Sequence, residues 1–188
     1  MKLIFIRHGQ TDWNVLGKIQ GSNDIELNEN GLKQAIELGE RVKESDLTIH
    51  NIYSSKQKRA YKTALILSEA TKVNCIPVDG LEEINFGKWE GLTWDEVTSN
   101  YKEEYEIWRK DRRYVNAPDG ESYQDLLDRV LRVIHTILEK ETKDVAIVTH
   151  GAVIMCLQCY VSNTPFNEMF KFKTANTCIV ELESELFQ

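Results

Sequence analysis

The sequence predicts an α/β fold with three layers, a mostly parallel β-sheet with helices on both faces. Short apolar runs alternate along the chain with longer amphipathic segments, as strands alternate with covering helices. The runs Leu3–Ile6 and Val145–Val148 are continuous and apolar, as expected of central strands buried on both faces. With 188 residues, 41% of them hydrophobic and 28% charged, the composition is that of an ordinary globular protein. We therefore expect a single domain over residues 1–188.

Further strands and helices follow from shorter signals. The runs Ile52–Ser54 and Cys75–Val78 are weaker strand candidates, and Cys178–Leu182 has the polar flank of a strand at the sheet edge. A helix is predicted from about Glu29 to Glu44 because Asn28 is a plausible N-cap. Another helix is predicted from about residue 57 to residue 71.

The second half of the chain carries the clearest helical pattern. Ser122 and Asp125 resemble a capping box, and apolar residues follow at helical spacing through Leu138. A further helix is expected after Gly151. The segment at about 93–120 is rich in charge and aromatic residues and is predicted to form a helical lid whose aromatic side chains mainly pack it.

Charge and hydropathy exclude some classes of function. The net charge of −7 argues against a nucleic-acid-binding protein, which normally carries a basic stripe, but permits a local cationic cleft. No apolar stretch approaches the roughly 18 residues that cross a bilayer. The first apolar run is too short for a signal peptide and is followed at once by Arg7 and His8. We expect a cytoplasmic protein with neither nucleic acid nor membrane as a partner.

Cys156 and Cys159 form a C-x-x-C pair, a spacing that occurs in redox and metal sites. Here the pair lies inside an apolar segment, where free cysteine behaves as a small hydrophobic residue. Neither a second C-x-x-C nor a nearby histidine pair completes a metal site. We therefore expect both cysteines in the core, and we expect neither a metal nor another cofactor.

The same short pattern follows both central strands. Each four-residue apolar run is followed by one polar residue and then by His-Gly, at His8 and at His150. In parallel sheets, ligands bind at the carboxyl ends of the strands. If the two strands are neighbours, both imidazoles point into one crevice. The helix after Gly151 would then offer its amino end to an anion.

Two arginines are placed to join the histidines. Arg7 precedes His8, and Arg59 lies near the start of a helix that follows a predicted strand. The forked donors of a guanidinium fit phosphate oxygens. Two histidines and two arginines at one sheet edge therefore predict a site for a phosphoryl group, where the protein's task is to position the group and stabilise its oxygens.

The expected site still needs a proton donor. The loop from residue 81 to residue 91 is rich in acidic, glycine and aromatic residues, and desolvation beside aromatic rings raises a carboxyl pKa as a general acid requires. Glu83 is the candidate, although spacing alone does not choose it over Glu82 or Glu90.

These residues also resemble a known family, the histidine phosphatase superfamily, in the branch that includes cofactor-dependent phosphoglycerate mutase. Residues 7–14 read Arg-His-Gly-Gln-Thr-Asp-Trp-Asn, similar to the family signature R-H-G-x-T-x-W-N. The resemblance continues in the family's order over nearly the whole chain, through Gln20-Gly21, 30–35, 54–64, 81–91, 118–122 and 149–151. It implies a mostly parallel six-stranded sheet.

The resemblance also implies roles for the residues of the site. His8 would be the nucleophile that becomes a phosphohistidine, and Glu83 matches the proton donor of the family. Arg7, Arg59 and His150 would hold the phosphoryl oxygens, with the arginines and an imidazolium supplying the positive charge of a metal ion. The implied substrate-binding residues are Thr11, Asn14, Gln20, Gly21 and Gly151.

The expected activity is a metal-independent phosphomonoesterase acting on a small phosphate monoester. Two features favour hydrolysis over mutase activity: the short chain, and the pair Gln10-Thr11 where mutases usually have Glu-Ser. A non-catalytic relative that binds a phosphorylated ligand is the third hypothesis. A sugar phosphate, phosphoglycerate, phosphoserine and α-ribazole phosphate all stay open as substrates. The basic run 109–113 is a possible site for a second anionic group, but a solvated helix surface is the favoured interpretation. The oligomeric state stays open.

Overall fold

The computed structural model describes residues 1–187 and shows a five-stranded sheet in the order β3-β2-β4-β1-β5. The strands are β1 (Lys2–Arg7), β2 (Asn51–Ser55), β3 (Cys75–Val78), β4 (Val145–Thr149) and β5 (Ile179–Glu183). The first four run parallel to their neighbours, whereas β5 pairs antiparallel with β1 at one edge. The sheet is mixed, with five strands in the described residues where the family resemblance implies six.

Seven α-helices connect and cover the strands within residues 1–187. They are α1 (Asp12–Val15), α2 (Glu29–Glu44), α3 (Lys58–Thr71), α4 (Trp94–Asn100), α5 (Lys102–Lys110), α6 (Tyr123–Lys140) and α7 (Gly151–Val161). Short 3₁₀ turns lie at Gly87–Trp89, Phe166–Phe172 and Ser184–Phe187. Two predicted caps set helix starts. The Asn28 side chain accepts from the Gly31 amide to begin α2, and Ser122 and Asp125 cap each other's backbone to begin α6.

Alternate residues of the central strands face two separate cores, because successive side chains on a strand point to opposite faces. Ile4 and Ile6 of β1 pack with Ala146 and Val148 of β4 against α2 and α3. On the other face, the intervening strand residues pack against α6, α7 and the aromatic segment before α6. All residues of β4 are buried, as expected of a strand covered on both sides. This is the predicted three-layer arrangement, and the prediction of the fold class is confirmed.

The segment predicted to be a lid is helical, with α4 and α5 joined at Tyr101. Its aromatic residues pack on one another and on the loop that follows β3. The Trp108 ring meets Trp89 edge-on at 5.3 Å and stacks on Trp94 at 5.5 Å between centroids. Packing therefore accounts for the aromatic content, and the same cluster walls one side of the cavity described below.

No helix of the described chain is both long and apolar enough to span a bilayer.

Candidate active site

The two histidines predicted at the strand ends meet in the structure. Strands β1 and β4 are parallel neighbours, and Arg7 is in register with Thr149, the residue before His150. The His8 amide donates to the Thr149 carbonyl at 3.0 Å, which carries the pairing past the end of the strands. The two imidazole rings lie 5.2 Å apart between centroids and are both buried. One sheet edge therefore holds both imidazoles, as the matched positions predicted.

His8 is held with one ring nitrogen free. Its Nδ1 lies 2.6 Å from the carbonyl oxygen of Gly9, and because a carbonyl only accepts, Nδ1 carries the proton. Burial, assisted by the positive charges of Arg59 and Arg7, lowers the pKa of His8 well below its usual value. The ring is therefore neutral near pH 7, and Nε2 keeps its lone pair.

His150 has a different environment from the one expected of an imidazolium. Its Nε2 lies 2.9 Å from the Ser55 hydroxyl, while its buried Nδ1 has no partner within residues 1–187. Burial and the nearby Arg59 lower the pKa of His150 well below its usual value. Desolvation next to arginine disfavours a further positive charge in the free site, and the imidazolium expected during phosphoryl transfer stays a prediction. We assign His150 the tautomer in which Ser55 donates to Nε2, so that Nδ1 carries the proton and is a hydrogen-bond donor.

Of the two predicted arginines, Arg59 is buried and Arg7 is half-buried, and each has one buried donor without an acceptor in the described residues. Arg7 donates from Nη1 to the Thr174 carbonyl at 2.6 Å. Arg59 donates to the carbonyls of Asn23 and Gly21 at 2.7 and 3.0 Å. The Nε of each arginine is buried without an acceptor in the described structure, and neither forms a salt bridge there. Burial lowers the pKa of both guanidinium groups, and the negative charge of Glu83 offsets only part of that effect.

These features form a set of three buried donors that lack acceptors in residues 1–187: Nε of Arg7, Nε of Arg59 and Nδ1 of His150. Buried polar groups are almost always hydrogen-bonded in folded proteins, and exceptions cluster at functional sites. A tetrahedral oxyanion would satisfy donors of this kind. The amino end of α7 lies beside them, and a side chain at Gly151 would come within 3.3 Å of the Arg7 Nε. Glycine there leaves room between the guanidinium and the helix end.

Glu83 lines the same cavity as His8, whereas Glu82 and Glu90 do not. The Glu83 carboxylate accepts from the backbone amides of Ile84 at 3.1 Å and Ala152 at 3.3 Å, the second of which lies in the first turn of α7. Glu82 turns back to accept from the Gly80 amide at 2.7 Å. Of the three carboxylates that spacing left open, only Glu83 lines the cavity together with His8.

Glu90 has a structural part in the site. Its carboxylate accepts from the Ser22 and Asn23 side chains at 2.9 and 2.6 Å, and from two backbone amides as well. Gly21 has a φ of +52°, and a β-carbon there would overlap the Glu90 carboxylate. Glycine is favoured at this position, because its φ is positive and a β-carbon would displace the hydrogen-bonded Glu90 carboxylate.

The remaining predicted residues divide into two groups. Asn14, Gln20, Gly21 and Gly151 line the cavity with His8 and Arg7. Thr11 does not line it. Thr11 is buried, caps α1 by accepting from the Asn14 amide at 3.1 Å, and donates to Gln20 at 3.0 Å. Thr11 therefore holds two cavity residues in place.

The cavity has a volume of about 320 Å³, and the predicted residues Arg59 and His150 are buried without lining it. Its walls also include the aromatic residues Phe86, Trp94, Tyr105, Trp108, Tyr123 and Phe170. His8, Arg7, Glu83 and an aromatic wall therefore share one small cavity.

The profile of the histidine phosphatase superfamily (branch 1) matches residues 3–186 of this chain. The chain belongs to the histidine phosphatase superfamily. Among curated relatives of this histidine phosphatase, phosphoserine phosphatase 1 of Hydrogenobacter thermophilus is 31% identical over 94% of this chain and 83% of its own. The metal-independent phosphoserine phosphatase of Arabidopsis thaliana is 33% identical over 98% of this chain and 77% of its own.

Solved structures agree with the family. A mycobacterial glucosyl-3-phosphoglycerate phosphatase complexed with VO3 superposes with a TM-score of 0.85 at 29% identity, over 97% of this chain and 90% of its own. A phosphoserine phosphatase mutant of Entamoeba histolytica in complex with phosphoserine gives 0.82 at 33% identity, over 96% and 89%. The family resemblance and the histidine phosphatase activity predicted from the sequence are confirmed.

The C-x-x-C pair of this histidine phosphatase lies in the core, as predicted. Cys156 and Cys159 are 1% exposed on α7, and both are free thiols. Burial raises the pKa of Cys159 to about 11 and that of Cys156 further, so both stay protonated. Within residues 1–187, no group of three or more histidine, cysteine or acidic side chains is arranged to hold a metal ion.

Sequence reasoning missed several residues of the cavity wall. Arg112 is 7% exposed and lines the cavity, so a solvated surface is the wrong interpretation for this member of the basic run. Arg109 does lie at the surface, paired with Glu106 at 2.7 Å. Lys173 and Thr174, which follow α7, also line the cavity. No motif marks them, and their place is seen only in the structure, where the Thr174 carbonyl accepts from Arg7.

Proposed function

We propose that this histidine phosphatase hydrolyses small phosphate monoesters through a phosphohistidine at His8, with no metal ion in the reaction. One observation carries the proposal. A neutral imidazole with a free Nε2 lies beside three buried nitrogen donors that have no acceptor in residues 1–187. The nitrogen provides a nucleophile, and the donors provide the contacts that a phosphoryl group needs.

The first transfer forms the phosphohistidine. The Nε2 lone pair of His8 attacks phosphorus in line with the ester oxygen, and the P–O bond to the alcohol breaks. Glu83, in its protonated form, gives its proton to the departing alkoxide. The Nδ1 proton stays on His8, which donates a hydrogen bond to the Gly9 carbonyl oxygen at 2.6 Å. That hydrogen bond orients the ring and stabilises the positive charge that develops on it.

Arg7, Arg59 and His150 hold the non-bridging oxygens during the transfer. Their unpartnered Nε–H and Nδ1–H groups are fixed by contacts on the other side of each residue, including the bonds to Thr174 and Gly21. Such preorganised donors lose little energy in reorganisation, and removing one typically costs about 10²- to 10³-fold in rate. We assign Asn14 and the Gly151 amide to the same group of donors, since both residues line the cavity.

The second transfer releases phosphate. Glu83, now a carboxylate, takes a proton from a water molecule as the water oxygen attacks phosphorus. The P–Nε2 bond breaks, its electron pair returns to His8, and the imidazole is neutral again. Glu83 regains the protonated form that the next cycle uses. One carboxyl group thus serves as acid and then as base.

Hydrolysis is favoured over phosphoryl return to a bound intermediate. The pair Gln10-Thr11, which replaces the usual Glu-Ser of mutases, has structural contacts here. The Gln10 side chain accepts from Asn28 and Asn30 at 3.2 and 3.1 Å, and Thr11 caps α1. A mutase is the alternative function. It has support from phosphoglycerate mutase-like protein 4 of Arabidopsis thaliana, which is 35% identical over 83% of this chain and 69% of its own. With 3-phosphoglycerate, a phosphatase yields free phosphate and a mutase yields 2-phosphoglycerate.

The cavity and the relatives support a small substrate. A volume of about 320 Å³ is at the lower end of the roughly 300–1,000 Å³ typical of ligand pockets. The relatives named above are phosphatases of phosphoserine and of a phosphoglycerate derivative. We propose phosphorylated metabolites of this size as substrates, with sugar phosphates and α-ribazole phosphate as members of the test panel.

The nucleophile is tested by trapping the intermediate. Wild-type protein is mixed with the monoester panel in the presence of EDTA, quenched in alkali, and examined for phosphohistidine by mass spectrometry. We expect turnover with EDTA and a label on His8. The variant His8→Ala loses label and turnover, whereas His50→Ala, at an exposed position, keeps both. Substantial turnover by His8→Ala, or a label on another residue, contradicts the assignment.

A further inference from the structure

Asn176 contacts two residues of the site without lining the cavity itself. Its Nδ2 donates to the backbone carbonyl of His8 at 2.9 Å and to Oδ1 of Asn14 at 3.3 Å. The side chain is half-buried and belongs to the turn just before β5, 162 positions from Asn14 along the chain. Its amide therefore joins a distant turn to the nucleophile and to one of the proposed phosphoryl donors.

These hydrogen bonds determine the orientation of both side-chain amides. A carbonyl oxygen only accepts, so the His8 carbonyl requires the amino group of Asn176 beside it. The second N–H of that amino group requires an acceptor, which is Oδ1 of Asn14. The backbone amide of Thr11 donates to the same oxygen at 3.1 Å. A reversed Asn14 amide would bring its own amino group against both of these donors and leave them without an acceptor.

The Asn14 amide consequently has one end available to a ligand. Its Nδ2 donates to no residue from 1 to 187, and Asn14 lines the cavity with His8 and Arg7. Phosphoryl oxygens are acceptors, so an amide stabilises them only if it presents its amino group. With the opposite orientation, the amide would present its partially negative oxygen to a dianion.

The turn that carries Asn176 is fixed from two sides. Thr177 has a φ of +54°, which a β-branched residue adopts only where its surroundings impose it. Its amide donates to the Arg7 carbonyl at 3.0 Å, and its carbonyl accepts from Arg41 of α2 at 2.9 Å. The Thr174 carbonyl accepts from the Arg7 side chain at 2.6 Å. Backbone contacts therefore hold the turn, and its position does not depend on the Asn176 side chain.

We infer that Asn176 is a positioning residue for phosphoryl transfer, which acts by orienting the amino group of Asn14 towards the phosphoryl oxygens. The inference rests on the proposed function, because it concerns one donor of that site. The bond to the His8 carbonyl sets the Asn176 amide, and the Asn176 amide then sets that of Asn14. Asn176 has no contact with the substrate in this role.

A double-mutant cycle tests whether Asn176 acts through Asn14. Asn176→Ala, Asn14→Ala and the double variant are compared by kcat/KM for a hydrolysed monoester and by the inhibition constant of orthovanadate, which imitates the transferred phosphoryl group. Asn14→Ala should cost about 10²- to 10³-fold in kcat/KM, as for other preorganised donors. Asn176→Ala should lower kcat/KM and weaken orthovanadate binding by roughly 10- to 100-fold, because it misplaces that donor. In the Asn14→Ala background, the same substitution should change either quantity by less than about threefold.

Two further variants serve as checks. Asn176→Asp keeps the volume of the side chain but has no N–H when ionised, so it should lose at least as much as Asn176→Ala. The orthovanadate inhibition constant does not depend on the fraction of a variant that folds. Asn51→Ala is the matched control, since Asn51 is also half-buried and donates from Nδ2, to Glu141 at 2.8 Å. It lies at the amino end of β2, away from the strand ends that carry the histidines, and should leave both measurements unchanged.

The outcomes separate this inference from the proposed function. Losses that multiply in the double variant, or wild-type kinetics for Asn14→Ala, overturn the action of Asn176 through Asn14. A change below about threefold in both Asn176 variants overturns the positioning role. Equal weakening of orthovanadate binding by Asn51→Ala shows a general effect of losing an amide contact and overturns it too. The proposed function is judged on wild-type protein, and it fails if the wild type hydrolyses no monoester or forms no phosphohistidine.

Discussion

Replacing Arg129 with methionine should both destabilise the protein and misplace Glu83. Arg129 donates from Nη1 to the carbonyls of Gly80 and Glu82 at 3.0 and 2.8 Å, and from Nη2 to that of Glu83 at 3.0 Å. It also holds the Glu121 carboxylate through two hydrogen bonds, at 2.9 and 3.0 Å. One guanidinium thus fixes the backbone of the loop that presents Glu83.

The size of the effect follows from what the substitution leaves unpaired. Arg129→Met removes the donor of three carbonyls and leaves the Glu121 carboxylate, which is 25% exposed, without its cation. Breaking a buried ion pair by removing one partner costs about 3–5 kcal/mol. Because the Arg129 side chain keeps 17% exposure, the lower end applies, about 3 kcal/mol in the free energy of unfolding. For a protein of this length, that lowers Tm by roughly 6–12 °C.

The assay combines urea unfolding with the dependence of kcat on the leaving group. If the Glu83 loop is loosened, kcat should fall more for esters of aliphatic alcohols than for p-nitrophenyl phosphate. An aliphatic leaving group needs a proton, whereas the phenolate leaves without one. Arg132→Met, at an exposed position one turn along α6, is the control and should change neither measurement. A destabilisation of Arg129→Met below about 1 kcal/mol refutes the energetic reasoning. Equal loss of kcat on both esters refutes the positioning role.

Two further predictions test the protonation states of the site. Glu83→Gln keeps the size of the side chain but removes the transferable proton, so kcat for an aliphatic ester should fall by about 10²- to 10⁴-fold, with a much smaller fall for p-nitrophenyl phosphate; equal falls in steady-state kinetics would argue against the acid role. The lowered pKa values of His8 and His150 mean that the unfolded chain takes up protons below about pH 6.5 that the native histidines exclude. The free energy of unfolding should therefore be largest above that pH and fall towards pH 5, with a shallower fall for His8→Asn in urea titrations; parallel slopes for the two proteins would contradict the shifts.

Much of the fold was predictable because the deciding signals are local. Helix α2 has the predicted bounds, since the Asn28 side chain satisfies the Gly31 amide at its start. Strand β3 also has the predicted bounds, Cys75–Val78. The meeting of His8 with His150 needed one rule beyond local pattern, namely that neighbouring parallel strands end at the same sheet edge. The apolar runs before the two histidines have the same length, which indicated that both residues lie at the same distance from the strand ends.

The choice of carboxylate and the place of Arg112 were not predictable from the sequence. Glu82 and Glu83 are adjacent and equally acidic, and they differ only in which way the loop turns their side chains. Arg109 and Arg112 belong to one basic run, yet one is at the surface and the other stacks between Trp108 and Phe170. Phe170 lies far from the basic run along the chain, and no periodicity in the run predicts its contact with Arg112.

The sequence by itself determined the order along the chain of the strands and the main helices, the caps that begin α2 and α6, and the kinds of side chain at the two strand ends. The tertiary structure decided the protonation and charge of those side chains. His8 and His150 are neutral because neighbouring elements exclude water from them and set Arg59 beside them, and the free donors of the site exist because no acceptor in residues 1–187 reaches them. Helix and strand signals act over a few residues, whereas desolvation and charge depend on contacts between segments that are distant along the chain.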